Sequence, residues 1–134
     1  MTQSTIPYLT VKGASEASAF YQKAFGATEN RRMAEEGGTR LLHVDLSIKG
    51  GSVFLCDEFP EHGGSAPKEG DRVPVSVVIA LATPADVDAV HKQAVGAGAK
   101  STMEPADTFW GARFSMLSDP FGHNWMLNAP LPQK

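Results

Sequence analysis

The chain has 134 residues, with 12 Lys or Arg, 15 Asp or Glu and a formal net charge of −3. This length fits one domain or two small halves that share a core. The negative charge excludes the basic surface that nucleic acid and anionic membranes require. Since only Cys56 is present, an internal disulfide is impossible, and a reducing cytoplasm is the expected location.

No stretch of the sequence predicts a membrane segment. The longest apolar stretch, residues 73–82, is interrupted by Pro74 and Ser76 and is too short to span a bilayer. The first five residues lack the charged and apolar regions of a signal peptide. The sequence therefore predicts a cytoplasmic protein without a membrane partner.

The first half of the chain predicts the order βαβββ. Residues 6–11 form a predicted strand, and Ser15 is the expected cap of a helix that runs to Phe25 and ends at Gly26. Apolar residues recur in this helix at the spacing of one helical face. Three further strands are predicted at residues 29–34, 39–48 and 52–56.

Residues 39–48 alternate apolar and polar side chains, as a strand with one buried face does. The alternation predicts two faces. Leu42, Val44, Leu46 and Ile48 lie on one, and Leu41, His43, Asp45 and Ser47 on the other.

The second half repeats this order after a loop at residues 58–72. A strand at residues 75–81 precedes a helix with a Thr83 cap, Pro84 at its first position and Asp86 at its third. Gly96 and Gly98 are expected to end this helix. Strands follow at residues 100–103, 113–117 and 124–128, the last two joined by the turn Asp119-Pro120-Phe121-Gly122.

The two helices end alike, at residues 21–27 and 91–97, which indicates an internal repeat. We therefore predict an α+β fold of two βαβββ modules that form a curved mixed sheet around a cleft. The modules are expected at residues 1–57 and 73–130, within a single domain.

Six stretches together resemble the vicinal oxygen chelate (VOC) superfamily of glyoxalases, bleomycin resistance proteins and dioxygenases, and within it the PhnB-like branch. They are residues 7–11, 19–27, 42–46, 86–90, 109–113 and 119–125, the last reading Asp119-Pro120-Phe121-Gly122-His123-Asn124-Trp125. The resemblance implies sheets around a shared cleft, helices outside, and commonly a homodimer.

Well-studied members of this superfamily hold a divalent metal through His, Glu or Gln at four strand positions. Carried over to this chain, these positions fall near Ile6, at Phe54 or Cys56, near Ser76 and at Met126. None is a usual ligand for a hard or borderline cation, and a lone thiolate favours a soft one. We therefore expect no metal and no other cofactor.

Several side chains are candidates for contact with a small molecule. His43 is a general base oriented by Asp45, a polar contact to substrate, or a cross-strand hydrogen-bonding residue. Trp110 could stack on a planar ligand while Arg113 pairs with a carboxylate or phosphate. In the alternative interpretation, Trp110 only anchors a covering loop and Arg113 lies on the surface. The six candidate ligand-binding residues are Tyr8, His43, Cys56, Trp110, Arg113 and Met126.

Other candidates have structural interpretations. His123 and Trp125 are expected to be structural, Cys56 to be a small core hydrophobe, and His91 to be solvated. A displaced metal site formed by His43, Asp45 and His123 is less favoured, because the spacing carries no ligand signature.

The function predicted first is binding of a small aromatic or amphipathic molecule in the cleft, as bleomycin resistance proteins sequester drugs without chemistry. The alternative is an enzyme with lyase, isomerase or dioxygenase-like activity, dependent on a metal or free of one. In that case His43 is the base or ligand and Arg113 holds an anionic substrate. A purely structural or interaction protein is a third class.

Overall fold

The computed structural model describes residues 3–132. The first module contains strand β1 (Tyr8–Val11), helix α1 (Ala14–Phe25) and strands β2 (Thr28–Ala34), β3 (Leu41–Ile48) and β4 (Gly51–Asp57). Its four strands form one sheet in the order β1-β4-β3-β2. β1 pairs with β4 in parallel, and the other neighbours are antiparallel.

The second module contains strand β5 (Ser76–Ala80), helix α2 (Pro84–Ala97) and strands β6 (Lys100–Asp107), β7 (Ala112–Ser118) and β8 (Asn124–Pro130). Its sheet order, β5-β8-β7-β6, and its one parallel pair, β5 with β8, repeat those of the first sheet. The predicted α+β fold of two βαβββ modules is confirmed. Neither α1 nor α2 is long and apolar enough to cross a membrane.

The cap of α1 comes from another strand and not from Ser15, so that prediction was wrong. Gly13 precedes the helix at a φ of 94°, and no side chain of its own caps it. Oδ1 of Asp57 instead accepts hydrogen bonds from the backbone N–H groups of Gly13 and Ala14, at 3.0 and 2.8 Å. Oδ2 accepts from the N–H of Leu41 at 2.7 Å. One carboxylate at the end of β4 therefore joins α1 and β3.

The cap of α2 is local, as predicted. The Thr83 hydroxyl accepts from the N–H of Asp86 at 3.2 Å, and the Asp86 carboxylate accepts from the N–H of Thr83 at 3.2 Å. Gly96 does not end the helix, because α2 continues to Ala97 and is capped by Gly98 at a φ of 123°.

The helices α1 and α2 pack against each other, and each also covers one sheet. The core lies between the sheets and these helices. Its large fully buried side chains include Trp125, Tyr21 and Phe25. Trp125 lies 5.2 Å from Tyr21 and 4.8 Å from Phe25, measured between ring centroids. Each sheet therefore has a helix side and an open side.

The predicted alternation of β3 fails at its start. Val44, Leu46 and Ile48 are buried, but Leu42 is 44% exposed and Leu41 is buried instead. The pairing of β2 with β3 shifts register between Met33 and Ala34, which leaves Leu42 as the extra residue of a β-bulge. The bulge reverses the faces of the two leucines and leaves the rest of β3 unchanged.

The prediction that His91 is solvated was also wrong. The side chain lies on the apolar stripe of α2 beside Val87 and Ala94 and is 4% exposed. Both ring nitrogens have hydrogen-bonding partners on the second sheet. His91 is thus buried, but its surroundings are partly polar, because both ring nitrogens have hydrogen-bonding partners.

A buried carboxylate connects the two modules. Oδ2 of Asp119 accepts hydrogen bonds from the Tyr21 hydroxyl at 2.5 Å and from Nε1 of Trp125 at 2.8 Å. Oδ1 accepts from the backbone N–H groups of Phe121 and His123 at 2.8 and 3.0 Å. Asp119 therefore holds its own turn, as predicted, and also holds α1 of the other module.

This network predicts a pH dependence of stability. Burial, and secondly the Asp119 charge, raise the pKa of Tyr21 well above its ordinary value of 10.0. Because the folded state retains this proton to higher pH than the unfolded chain, the contribution of Tyr21 is complete below pH 10 and is lost above it. Tyr21→Phe should cost about 2 kcal/mol at pH 8, because it removes a buried hydrogen bond to a charged carboxylate. The difference between wild type and variant should then shrink by up to about 1.4 kcal/mol per pH unit above pH 10.

Urea unfolding between pH 8 and pH 11 measures this difference. Tyr8→Phe is the matched control. Tyr8 is 51% exposed and should show a much weaker trend. A Tyr21→Phe difference that stays constant to pH 11 would contradict the linkage.

Candidate functional site

Three rings meet on the open side of the first sheet. Tyr8 in β1 pairs with Phe54 in β4, and His43 in β3 lies beside them. The His43 ring lies 4.6 Å from that of Phe54 and 5.5 Å from that of Tyr8, and the Tyr8 and Phe54 rings are 6.0 Å apart. We call these three residues the aromatic cluster. The structure thus brings together two of the six candidate ligand-binding residues, Tyr8 and His43, and places Phe54 beside them.

The Tyr8 hydroxyl makes two polar contacts. Its oxygen lies 3.1 Å from the Leu42 carbonyl oxygen and 3.0 Å from Nδ1 of His43. Partial burial, and then Cys56, raise the pKa of Tyr8. The hydroxyl is therefore a neutral group at physiological pH and fixes the orientation of the His43 ring.

Cys56 lies beside the aromatic cluster and outside the core, contrary to its expected role as a core hydrophobe. Val53 and Leu55 occupy the helix side of β4, so Cys56 alternates to the open side, where it pairs with Thr10. It is half-buried. Burial raises the pKa of the thiol, although a hydrogen bond with Thr10 partly offsets this.

Met126 and Trp110 belong to the second module. Trp125 and Leu127 are buried, so Met126 alternates to the open side of the second sheet, where it pairs with Met116 of β7 and Val78 of β5. Trp110 lies in the β6–β7 hairpin, 58% exposed, with its ring 5.9 Å from that of Phe114. These two candidates therefore belong to the second module, whereas the aromatic cluster lies on the sheet of the first.

Arg113 lies on the helix side of the second sheet. Its guanidinium forms ion pairs with Asp88 of α2 at 3.0 Å and Asp107 of β6 at 3.2 Å. The hydrogen bonds that the guanidinium donates to Asp88, and then to Asp107, raise the pKa of Arg113. The structure does not bring Arg113 to the aromatic cluster, and the charge of its guanidinium is already paired with two carboxylates.

The positions that the resemblance assigns to the family's metal ligands do not fit a metal in this chain. Ile6 lies two residues before β1, and the other three positions fall on β4, β5 and β8. The side chains at these positions offer one thiol, one hydroxyl and one thioether, which are poor donors for a hard cation. Within residues 3–132, no three His, Cys, Asp or Glu side chains lie close enough to hold a metal ion.

The displaced site of His43, Asp45 and His123 is accordingly not assembled. His123 has the structural role predicted for it: Nε2 donates to the Thr10 carbonyl at 2.8 Å. This bond joins the β7–β8 turn to β1.

Phe54 is the residue of the aromatic cluster that the sequence did not mark as a candidate ligand-binding residue. It alternates with Cys56 on the predicted strand, so its face was deducible. Its contact with Tyr8 depends on the parallel pairing of β1 with β4, which the pattern of a single strand does not predict.

Comparison with known proteins shows that this chain matches one protein family over most of its length. The sequence profile of the Glyoxalase/Bleomycin resistance protein/Dioxygenase superfamily matches residues 5–127. Uncharacterized protein Mb0911c of Mycobacterium bovis is 38% identical over 128 residues, which cover 93% of this chain and 82% of that protein. YjdN of Escherichia coli is 26% identical, over 91% of this chain and 92% of YjdN.

Solved structures agree in fold. Protein PA1353 from Pseudomonas aeruginosa superposes with a TM-score of 0.76 at 24% identity, over 98% of this chain and 100% of that one. A Bacillus cereus PhnB protein, described as a putative 3-demethylubiquinone-9 3-methyltransferase, gives 0.71 at 18% identity, over 95% and 99%. With the profile match across both modules, these findings show that the chain belongs to the glyoxalase/bleomycin resistance protein/dioxygenase superfamily.

Proposed function

We propose that this chain is a PhnB-like member of the superfamily that binds a small aromatic or amphipathic molecule on the open side of its first sheet. The observation that carries the proposal is the aromatic cluster, in which three rings meet on a surface that neither α1 nor α2 covers. Its assignment to the PhnB-like branch rests on the six sequence stretches and on the fold shared with the Bacillus cereus protein.

The aromatic cluster has the composition of a binding wall. The rings of Tyr8 and Phe54 meet edge to face, at 83°, which leaves part of each ring open to a planar ligand. The half-buried Cys56 extends this surface with a neutral, polarisable group. Such a surface favours apolar and aromatic ligands, since each good aromatic contact contributes about 0.5–1.5 kcal/mol beyond area burial.

His43 supplies the polar group, and its tautomer follows from the Tyr8 contacts. A backbone carbonyl only accepts, so the single hydroxyl hydrogen of Tyr8 is directed to the Leu42 oxygen at 3.1 Å. The 3.0 Å contact with Nδ1 is then satisfied only if Nδ1 donates to the Tyr8 oxygen. Nε2 retains its lone pair, so the ligand that fits best presents a hydroxyl or N–H beside its ring.

The second sheet also has an exposed apolar open side. Val78 is 54% exposed and Trp110 58%, and Met126 lies beside Val78 across the β5–β8 pair. We propose that the chain is a homodimer, in which these side chains are covered and help to enclose the ligand. Sedimentation velocity measures this state directly.

The alternative function is an enzyme of lyase, isomerase or dioxygenase-like type that uses His43 as a base. The free lone pair on Nε2 and the proximity of Asp45, two residues away on β3, favour it. Arg113 takes no part in this alternative, because its ion pairs hold it on the helix side.

The tautomer of His43 is directly testable. In the wild type, long-range ¹H–¹⁵N NMR should show neutral His43 protonated at Nδ1. Tyr8→Phe removes the acceptor of that proton, so the population should move towards the Nε2–H form. His62, in the loop after β4, is the internal control and should not change. An unaltered His43 spectrum in Tyr8→Phe would contradict the assignment.

Ligand binding is testable with 1-anilinonaphthalene-8-sulfonate, an amphipathic aromatic probe, by fluorescence titration of the full chain. Phe54→Ala should weaken binding about ten-fold, because it removes the central ring of the aromatic cluster. Phe59→Ala is the matched control. Phe59 lies in the loop after β4, where its ring packs against the Arg40 guanidinium. Its replacement should leave the affinity for the probe unchanged. Equal affinities in the two variants would place the probe elsewhere.

The enzyme alternative has its own test. Tag-free protein dialysed against metal-free buffer should hold far less than one metal ion per chain by elemental mass spectrometry. A stoichiometric metal would favour a metalloenzyme. Turnover of a candidate substrate with a pH–rate limb that His43→Ala removes would favour catalysis by His43. Unchanged probe binding in His43→Ala, without turnover, would favour the binding protein.

A further inference from the structure

A buried chain of hydrogen bonds on the helix side of the second sheet ends at a cavity. His91 of α2 is 4% exposed, and its Nδ1 lies 2.9 Å from the hydroxyl of Ser115, which is itself fully buried. Its Nε2 lies 2.9 Å from the hydroxyl of Ser101 in β6. These groups belong to the second module, whereas the surface used in the proposed function is the open side of the first sheet.

The Glu104 carboxylate closes this chain. It accepts a hydrogen bond from the Ser101 hydroxyl and lies 3.2 Å from Nε2 of His91. Since a carboxylate only accepts, Nε2 must carry a hydrogen. Hydrogen bonding from Ser101, and secondly from His91, lowers the pKa of Glu104. Ser101 and His91 therefore form a pair of donors that favours a charged carboxylate.

Glu104 is loosely held compared with the groups it contacts. Its side chain is 78% exposed, against 5% for that of His91. The β6–β7 pairing shifts register between Met103 and Ala106, so Glu104 and Pro105 lie on an irregular segment of the strand. A rotation of one exposed side chain would leave the buried donors in place and without their acceptor.

A cavity of about 490 Å³ adjoins these donors. Besides His91 and Ser101, its lining combines the cations Lys92 and Arg113, the carboxylates of Asp88 and Glu104, and the apolar side chains of Val95 and Pro105. Arg113 is paired with carboxylates, whereas the ion pairs within residues 3–132 do not include Lys92. The cavity thus offers one uncommitted cation and an apolar wall beside two hydrogen-bond donors.

We propose that Ser101 and His91 form a binding site for a small carboxylate, and that Glu104 is its displaceable internal occupant. The ligand's carboxylate takes the place of the Glu104 carboxylate on Ser101 and His91. Its apolar part lies against Val95 and Pro105, and Lys92 adds a positive charge. A short or aromatic monocarboxylate fits this description, and the site is independent of the aromatic cluster.

Benzoate is the probe, and the His91 imidazole signals in long-range ¹H–¹⁵N NMR are the readout, at pH 7 and constant ionic strength. The wild type should respond with saturable shifts. Glu104→Ala should bind benzoate about ten-fold more tightly, because it removes a tethered competitor at high effective concentration. Benzamide, which has the same ring without the charge, should produce no comparable shift in either protein.

Two variants separate a site from a general charge effect. Glu36→Ala removes the same charge from the exposed β2–β3 turn and should bind benzoate as the wild type does. Ser101→Ala in the Glu104→Ala background should lose the gained affinity while the protein remains folded. The proposal is overturned if the double variant keeps that affinity, or if benzoate shifts His91 in neither protein. A response in Glu104→Ala alone also overturns it, since Glu104 would then be a permanent part of the network.

Discussion

The buried carboxylate of Asp119 is the interaction on which the rest of the structure depends. It is 7% exposed and is stabilised by four donors, two from side chains and two from the backbone. Because an unpaired buried charge is very unfavourable, these donors must hold their positions. Tyr21 lies on α1 and Trp125 on β8, so satisfying one carboxylate sets the relative position of the two modules.

That position decides which surfaces remain for function. The helices α1 and α2 pack on each other and on the inner side of each sheet, so both sheets turn their other side outward. Tyr8, His43, Phe54 and Cys56 lie on one outward side, and Val78 and Met126 on the other. The binding surface that we propose is thus a consequence of the module packing, and the side chains on it are mostly aromatic or neutral.

The second sheet carries polar chemistry of a different kind on its helix side. The hydrogen-bond chain from Ser115 through His91 and Ser101 ends on Glu104, and Arg113 is paired with two carboxylates nearby. At the positions that the resemblance assigns to the superfamily's metal ligands, this chain has Ile6, Phe54 or Cys56, Ser76 and Met126. None of these is a usual donor, whereas the fold is that of the superfamily, in keeping with the general independence of fold and function.

Local sequence alone determined the elements of this protein. Helical and strand periodicity, the Thr83 cap and the Asp119 turn act over a few residues. They appear in the structure as predicted, except at the start of β3, where a bulge interrupts the alternation. The distant contacts were decided only by tertiary structure. The cap of α1 comes from Asp57, 43 residues away from Ala14, and the β2–β3 bulge reverses Leu41 and Leu42. Burial of His91 and the pairing of Arg113 with Asp88 likewise depend on how α2 lies on its sheet. Such contacts depend on which side chains the packed elements bring together, and no short stretch of sequence contains that information.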